Sequence, residues 1–255
     1  RRVVQELRDL GIDLVSVAEG FDTGVAGGPS LERTLDVFVR LQPKRASDRP
    51  RSWDPEGLRA HGCEPATIID VGAASGTHSL YGAFEQAYLV LVEPLREYEQ
   101  DLRKVLARRP GEYVAAAAGA EEGVATIGID RFLVASSLLE QVGAPPPVEA
   151  REVPVRTIDR LAAERDWQDP LALKLDVEGF EREVINGAAE TLKRCDFVIA
   201  ELSVTPRFEG GPAAAELIAR LRSHGFEACD VVDAYRAREH VIADLMFKRV
   251  AGPGE

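Results

Sequence analysis

Lys174-Leu-Asp-Val-Glu-Gly-Phe-Glu-Arg-Glu-Val-Ile-Asn-Gly-Ala188 is the stretch whose reading decides how this chain folds. Three charged residues, Lys174, Asp176 and Glu178, interrupt an apolar run from Leu171 to Val177. Side chains of an extended segment alternate faces, which sets these three on one side of a strand end. A buried strand that ends in carboxylates and turns at Gly179 into a helix is where open α/β sheets bind their ligands. Taken alone, the same residues read equally well as a strand terminus with solvated charges.

Upstream lies a second strand-to-helix turn, Ala66-Thr-Ile-Ile-Asp-Val-Gly-Ala-Ala-Ser-Gly-Thr-His-Ser-Leu80. Residues 67–71 are β-branched and apolar around Asp70, as a buried parallel strand requires. Gly72 and Gly76 bracket a tight loop in which the backbone can approach a ligand. A helix from about Ser79 directs its first amides toward that loop. Tyr88-Leu-Val-Leu-Val is a second buried strand, ending at Glu93-Pro94. An acid at that position is the usual partner of a ribose diol, so the order of elements points to an adenosine-containing cofactor.

A dinucleotide fingerprint needs Gly-x-Gly-x-x-Gly to embrace a pyrophosphate. Here Ala74 holds the middle position, and Thr77-His78-Ser79 follow Gly76. S-adenosylmethionine carries no phosphate and fits better, with Asp70, Gly72, Ala73, Gly76, His78, Ser79, Glu93 and Pro94 as its candidate contacts. His78 is placed to reach the tail carboxylate, though a histidine at a helix start is as often a cap or surface residue.

Composition bounds the rest. At 255 residues and 45% hydrophobic content, the chain holds one full α/β core, residues 61–255, behind an N-terminal extension, residues 1–60. The net charge of −12 argues against nucleic acid and for a small or neutral substrate. Cys63, Cys195 and Cys229 show neither zinc nor disulfide spacing, consistent with a reducing, cytoplasmic setting. No apolar run reaches the about 18 residues of a membrane span, and no signal peptide is read. Because the chain starts at Arg1 rather than methionine, a removed leader is left open.

Within the extension, Val3–Leu10 and Leu31–Leu41 read as amphipathic helices, joined by a glycine-rich loop and followed by a charged linker to Trp53. In the core, Leu95–Arg108 reads as helix and Glu112–Ala118 as a third strand, with Val124–Ile129 folded back on it as a hairpin. Asp130–Ala150, with Ser136-Ser137 and Pro145-Pro-Pro147, reads as a lid or substrate loop. Then come strand Arg151–Arg156, a helix capped by Thr157, the Lys174 strand, helix Glu181–Leu192 and strand Phe197–Glu201. Helix Ala213–Ser223 precedes two closing strands, Phe226–Val232 and Val241–Val250. Two consecutive strands at the end of an α/β alternation predict an antiparallel pair at the sheet edge.

With these residues in place, the chain resembles the FkbM-type family of S-adenosylmethionine-dependent methyltransferases. The resemblance rests on Asp70-Val-Gly-Ala-Ala-Ser-Gly76, Glu93-Pro94, Lys174-Leu-Asp-Val-Glu-Gly179 with Gly187-Ala188, and Asp244-Leu-Met-Phe247. It implies a Rossmann-like class I methyltransferase, a doubly wound, mostly parallel seven-stranded sheet with an antiparallel C-terminal pair. It also implies O-methylation of a sugar hydroxyl in a natural product or cell-surface glycan. Ala73-Ala74-Ser75 replaces the asparagine-containing loop common in the family, which leaves the cofactor contacts there open.

A sulfonium methyl is already activated, so the protein must align a hydroxyl and remove its proton. Asp176, Glu178 and Glu201 are the candidate acids for that work, and Asp176 also borders the cofactor. Asp176 and Glu201 are candidate ligands for Mg²⁺, a hard ion that takes oxygen donors. Lys174, inside a buried strand, needs a carboxylate partner, and Asp70 and Glu201 are the choices. Rival readings are an N-methyltransferase of the same fold, a nicotinamide-dependent oxidoreductase and a non-catalytic cofactor-binding protein. The missing glycine and the terminal strand pair speak against the oxidoreductase, and intact acids at three strand ends against the last.

Overall fold

The computed structural model describes residues 55–203, 207–237 and 240–250, with a two-residue ladder pairing Val15–Ser16 to Phe21–Asp22. The helices expected over residues 3–10 and 31–41, and the linker after them, lie outside the described residues.

Helix α1 (Pro55–Ala60) precedes strand β1 (Thr67–Val71), helix α2 (His78–Ala83) and strand β2 (Tyr88–Val92). A 3₁₀ turn at Arg96–Tyr98 runs into α3 (Glu99–Leu106), followed by β3 (Gly111–Val114). Three strands come next, β4 (Ala117–Ala118), β5 (Gly123–Ile129) and β6 (Glu149–Arg156), then α4 (Ile158–Ala163) and β7 (Leu171–Leu175). Helices α5 (Glu181–Asn186) and α6 (Ala189–Leu192) lead to β8 (Cys195–Ser203), α7 (Ala214–Ser223), β9 (Phe226–Ala237) and β10 (His240–Arg249).

Seven strands form the main sheet in the order β9-β10-β8-β7-β1-β2-β3. The pairs from β8 through β3 are parallel, and β10 runs antiparallel to both β8 and β9. This is the doubly wound sheet with an antiparallel edge pair that the sequence predicts. The first of its closing strands runs beyond the expected Val232, because the ladder continues to Ala237 opposite His240. The chain leaves β1 toward β2 in one direction and resumes at β7 in the other. The switch point therefore lies between β1 and β7, where Asp70 stands beside Lys174 and Val71 beside Leu175. A crevice at the carboxyl ends of such neighbours is the binding position that the topology creates.

Strand periodicity divides the core. Ile69, Val71, Leu173 and Leu175 pack with Leu161 of α4, Val184 of α5 and Leu217 of α7. On the opposite face Ile68, Leu89 and Leu91 pack with Leu58 of α1, Leu80 of α2 and Leu102 of α3. Each such aliphatic side chain stabilises the fold by roughly 1.5–3 kcal/mol when fully removed from water.

Three local expectations change. The segment 112–118 is not one strand: it breaks after Val114, and Ala117–Ala118 joins a separate sheet of order β4-β6-β5. The hairpin expected between it and Val124–Ile129 does not form. Instead β5 pairs antiparallel with β6, from Gly123 opposite Val155 to Ile129 opposite Glu149. That pairing lets Ile127, Ile129, Val153 and Val155 bury one face together with Leu95 and Ala117. The helix expected over 181–192 divides at Gly187, where a Cβ would lie 2.0 Å from the carbonyl oxygen of Gly119. The backbone passes too close there for any side chain. Thr157 caps α4 as expected, its side-chain oxygen accepting from the Arg160 amide at 3.1 Å. Among the described residues no helix is long and apolar enough to cross a membrane.

Candidate active site

The loop after β1 is tied to the end of β2. Gly72 N–H donates to the Val92 carbonyl at 3.0 Å, and Ala73 N–H to the same oxygen at 3.3 Å. Glu93 completes the tie: its Oε2 accepts from the Ala74 amide and its Oε1 from the Leu95 amide, each at 2.9 Å. Burial pushes the Glu93 carboxyl up to about 7, against the pull of those two amides, and nearby Asp70 adds to the rise. A carboxylate oxygen accepts more than one hydrogen bond, so both can still meet a diol. The Ala74 amide, which a phosphate would need, is already taken by a carboxylate. This loop fits the diol of an adenosine without a pyrophosphate, as the chemistry of S-adenosylmethionine requires.

Behind the loop, Asp70 is fully buried and accepts from the Tyr81 hydroxyl. Lys174 reaches across the switch point to Asp70 at 3.3 Å, to Asp176 at 3.1 Å and to the Gly72 carbonyl at 3.4 Å. Burial alone would lower the lysine pKa; Asp176 and Asp70 more than offset it and hold the ammonium well above its ordinary range. Its partners are thus Asp70 and Asp176 rather than Glu201.

Strand pairing stops at Leu175, and the Asp176 amide still donates to the Val71 carbonyl at 3.0 Å. The chain then turns: Glu178 has φ +52° and Gly179 φ +95°. Simple alternation therefore does not carry through to Glu178, whose backbone adopts a conformation uncommon for a residue with a side chain. Glu181, buried in the first turn of α5, holds it there by accepting from the Val177 amide at 3.3 Å and the Gly179 amide at 3.1 Å. The Ser137 hydroxyl donates to the Glu178 carbonyl at 2.7 Å.

One guanidinium ties the acids together. Arg207, 8% exposed, donates to Glu178 at 2.7 Å and to Glu201 at 2.9 Å. Burial pushes the Glu178 carboxyl up to about 8; Arg207 opposes that rise, while Asp176 and Glu181 add to it. Burial also pushes Glu201 well up, reinforced by Asp176, Glu178 and Asp244.

A cleft of about 250 Å³ opens at this end of the sheet. Of the candidates named from the sequence, Gly72, Glu93, Pro94, Asp176, Glu178 and Glu201 line it. Asp70, Ala73, Gly76, His78 and Ser79 do not. Asp70 and Ala73 are buried behind the loop, and exposed His78 packs its ring edge-on to Tyr81, at 6.1 Å between centroids. Leu133, Val134 and Ser136 to Leu138, from the loop expected to act as a lid or substrate loop, supply part of the wall.

Asp176, Glu178 and Glu201 each bring an oxygen within 4.8 Å of the others, close enough to share a cation. Three carboxylate oxygens are donors of the kind Mg²⁺ takes, but with Arg207 on two of them the positive charge is already supplied by the chain. Arg207 and Glu181 were not among the residues that sequence reasoning assigned to the site, and Ser137 was read only as part of the 130–150 loop. Arg207 belongs to no motif, and Glu181, the first residue of α5 after Phe180, matches no capping pattern.

The description "Methyltransferase FkbM domain" belongs to the family that matches residues 70–228, more than half of the chain. No curated protein matches. Among solved structures, the magnesium protoporphyrin IX methyltransferase of Synechocystis PCC 6803 with bound SAM is 15% identical, with a TM-score of 0.43 over 77% of this chain and 76% of that one. The 1,6-didemethyltoxoflavin-N1-methyltransferase of Burkholderia thailandensis is 14% identical, with a TM-score of 0.42 over 87% and 84%. The precorrin-6y C5,15-methyltransferase of Geobacter metallireducens GS-15 is 12% identical, with a TM-score of 0.41 over 73% and 81%. Likenesses this distant transfer neither a substrate nor a site residue.

Proposed function

The chain belongs to the FkbM family of S-adenosylmethionine-dependent methyltransferases, and on that premise we propose that it methylates a hydroxyl group of a sugar, in a natural product or a cell-surface glycan. The observation that carries this reading is Glu178: a carboxylate in the cleft wall, beside Asp176, whose proton affinity burial has raised to about 8. A base of that strength suits a hydroxyl, which must lose its proton as it is methylated.

Bound S-adenosylmethionine supplies a methyl group activated by its sulfonium charge. Glu93 receives the ribose hydroxyls on the lone pairs that the Ala74 and Leu95 amides leave available. Asp176, ion-paired to Lys174 in the cleft wall, would offer its negative charge to the cationic end of the cofactor. The cofactor's methyl group would pass to the acceptor oxygen, the C–O bond forming as the C–S bond breaks and S-adenosylhomocysteine leaving. Glu178 takes the proton which that oxygen sheds. Arg207 orients Glu178 and holds its proton affinity below what burial beside Glu201 would otherwise give it, and Glu181 fixes the turn from below.

The test is product analysis. The protein is incubated with S-adenosylmethionine and a panel of methyl hexosides, 6-deoxyhexosides and amino-sugar glycosides, and the products are mapped by NMR. A methyl ether on a ring hydroxyl is the expected product. Methylation at the amino-sugar nitrogen alone, with every hydroxyl untouched, would overturn the assignment.

A further inference from the structure

The loop of residues 130–150 is fastened along its length. On β5, the Gly128 amide donates to the Ser137 carbonyl at 2.8 Å and the Ser137 amide to the Gly128 carbonyl at 3.1 Å. At the acid turn, the Ser137 hydroxyl donates to the Glu178 carbonyl at 2.7 Å and accepts from the Leu139 amide at 2.9 Å. Farther along, the Val142 amide donates to the Arg207 carbonyl and the Glu209 amide to the Glu140 carbonyl, each at 2.8 Å. Ser137 is buried in the cleft wall, whereas Val142 is 48% exposed and does not line the cleft.

These bonds reach both halves of one ion pair. Glu178 stands at φ +52°, a conformation that a residue with a side chain adopts at a cost, so its turn needs outside support. Glu181 takes the amides on either side of Glu178, and Ser137 takes its carbonyl. Arg207 holds Glu178 by its guanidinium at 2.7 Å, while its own backbone is bonded to Val142. One short segment, from Ser137 to Val142, thus sets where the carboxylate and the guanidinium stand relative to each other. Misplacing a reacting group by about 1 Å can cost about 10²-fold in rate.

We propose that Ser137 and Val142 are positioning residues: the segment between them is a strap that holds Glu178 and Arg207 in register for proton removal. Ser137 acts through the backbone of Glu178, and Val142 through that of Arg207. The inference rests on Glu178 as the base, the reading given above, and adds what aims it.

Ser137→Ala removes one tie, and Ser137→Thr keeps the hydroxyl. Val142→Pro removes the other. Val142 precedes Gly143, φ +66°, in a turn closed by the Ala144 amide on the Gln141 carbonyl at 3.3 Å, a position that proline suits. Each variant is measured alone and combined with Glu178→Gln, on the acceptor that the glycoside panel selects. Ser137→Ala and Val142→Pro should each lower kcat by about tenfold with S-adenosylhomocysteine affinity unchanged, and Ser137→Thr should keep most of the rate. In the Glu178→Gln background neither should lower the rate further, since residues that act through one group are not additive. Unchanged kcat in either single variant, or equal losses with and without Glu178, overturns the proposal. A fully active Glu178→Gln, or a panel with no product, removes the reading above instead, and amide hydrogen exchange then decides the strap. Ser137→Ala should speed exchange at Gly179 and Glu209 alike by about tenfold; an unmoved Glu209 overturns the proposal.

Discussion

A Cβ on Gly72 would lie 1.7 Å from the carbonyl oxygen of Asp176. The cofactor loop after β1 and the acid turn after β7 are thus packed backbone against backbone, with the Asp176 amide donating to Val71 at 3.0 Å. Distant in sequence, the two strongest motifs of the chain form one rigid unit at the switch point. Gly72 also has φ +74°, which only glycine adopts at little cost.

Gly72→Ala should therefore strain the backbone by about 1–3 kcal/mol and, in addition, push Asp176 away. Thermal unfolding should fall by several degrees and methyl transfer should be lost. A variant with unchanged melting temperature and rate would show that the two loops are not in contact.

Glu93→Ala removes the acceptor that the ribose hydroxyls need. Charge-assisted hydrogen bonds of this kind contribute about 1.5–3 kcal/mol, which corresponds to roughly 10- to 100-fold in affinity. Calorimetry should record that loss for S-adenosylhomocysteine while circular dichroism shows an intact fold. Undiminished binding would remove Glu93 from the cofactor site.

Glu178→Gln keeps the shape of the side chain and removes its basicity, so turnover should fall by about 10²–10⁴-fold with cofactor affinity nearly unchanged. The pH dependence has a definite sign. Glu178 accepts a proton only when ionised, and burial has raised its pKa to about 8. The wild-type rate should climb as pH rises through that value and level off above it. The ascending limb should be missing from the residual activity of the glutamine variant; its survival there would assign the limb to another group.

Arg207→Met withdraws the guanidinium that Glu178 and Glu201 share, and losing one partner of a buried ion pair commonly costs about 3–5 kcal/mol. Without that positive charge both carboxyls hold their protons to higher pH. The rate at neutral pH should drop by at least about tenfold and recover in part as pH is raised. Since the guanidinium stands where a cation would, a chelator should leave the wild-type rate unchanged. Activity abolished by chelation and restored by Mg²⁺ would mean that Arg207 gives way to a metal.

Much of the fold was legible because its signals are local. The apolar runs at residues 67–71 and 88–92, the glycines at 72 and 76 and the acid at 93 are each decided within a few residues by steric and burial rules. The same is true of Lys174-Leu-Asp-Val-Glu-Gly179 and of the Thr157 cap, whose acceptor and donor lie three residues apart. The closing strand pair was readable because no helix separates its members. Val124–Ile129 shows the limit. Its alternation marked a strand, yet nothing in that alternation said whether it would pair with the segment before it or with Arg151–Arg156, across the intervening loop. Burial of Ile127 and Ile129 against Val153 and Val155 made that choice.

The site divides in the same way. By itself the sequence determined which residues stand at strand ends, because chain order and periodicity dictate where a buried run stops and an acid begins. Only the tertiary structure decided which of them meet. It turned Asp70 inward to Tyr81 and Lys174 and left Glu93 in the cleft wall. It also brought Arg207, which belongs to no motif, between Glu178 and Glu201. The physical reason is that buried charges must find partners wherever the packed chain presents them, and that search runs through space rather than along the sequence.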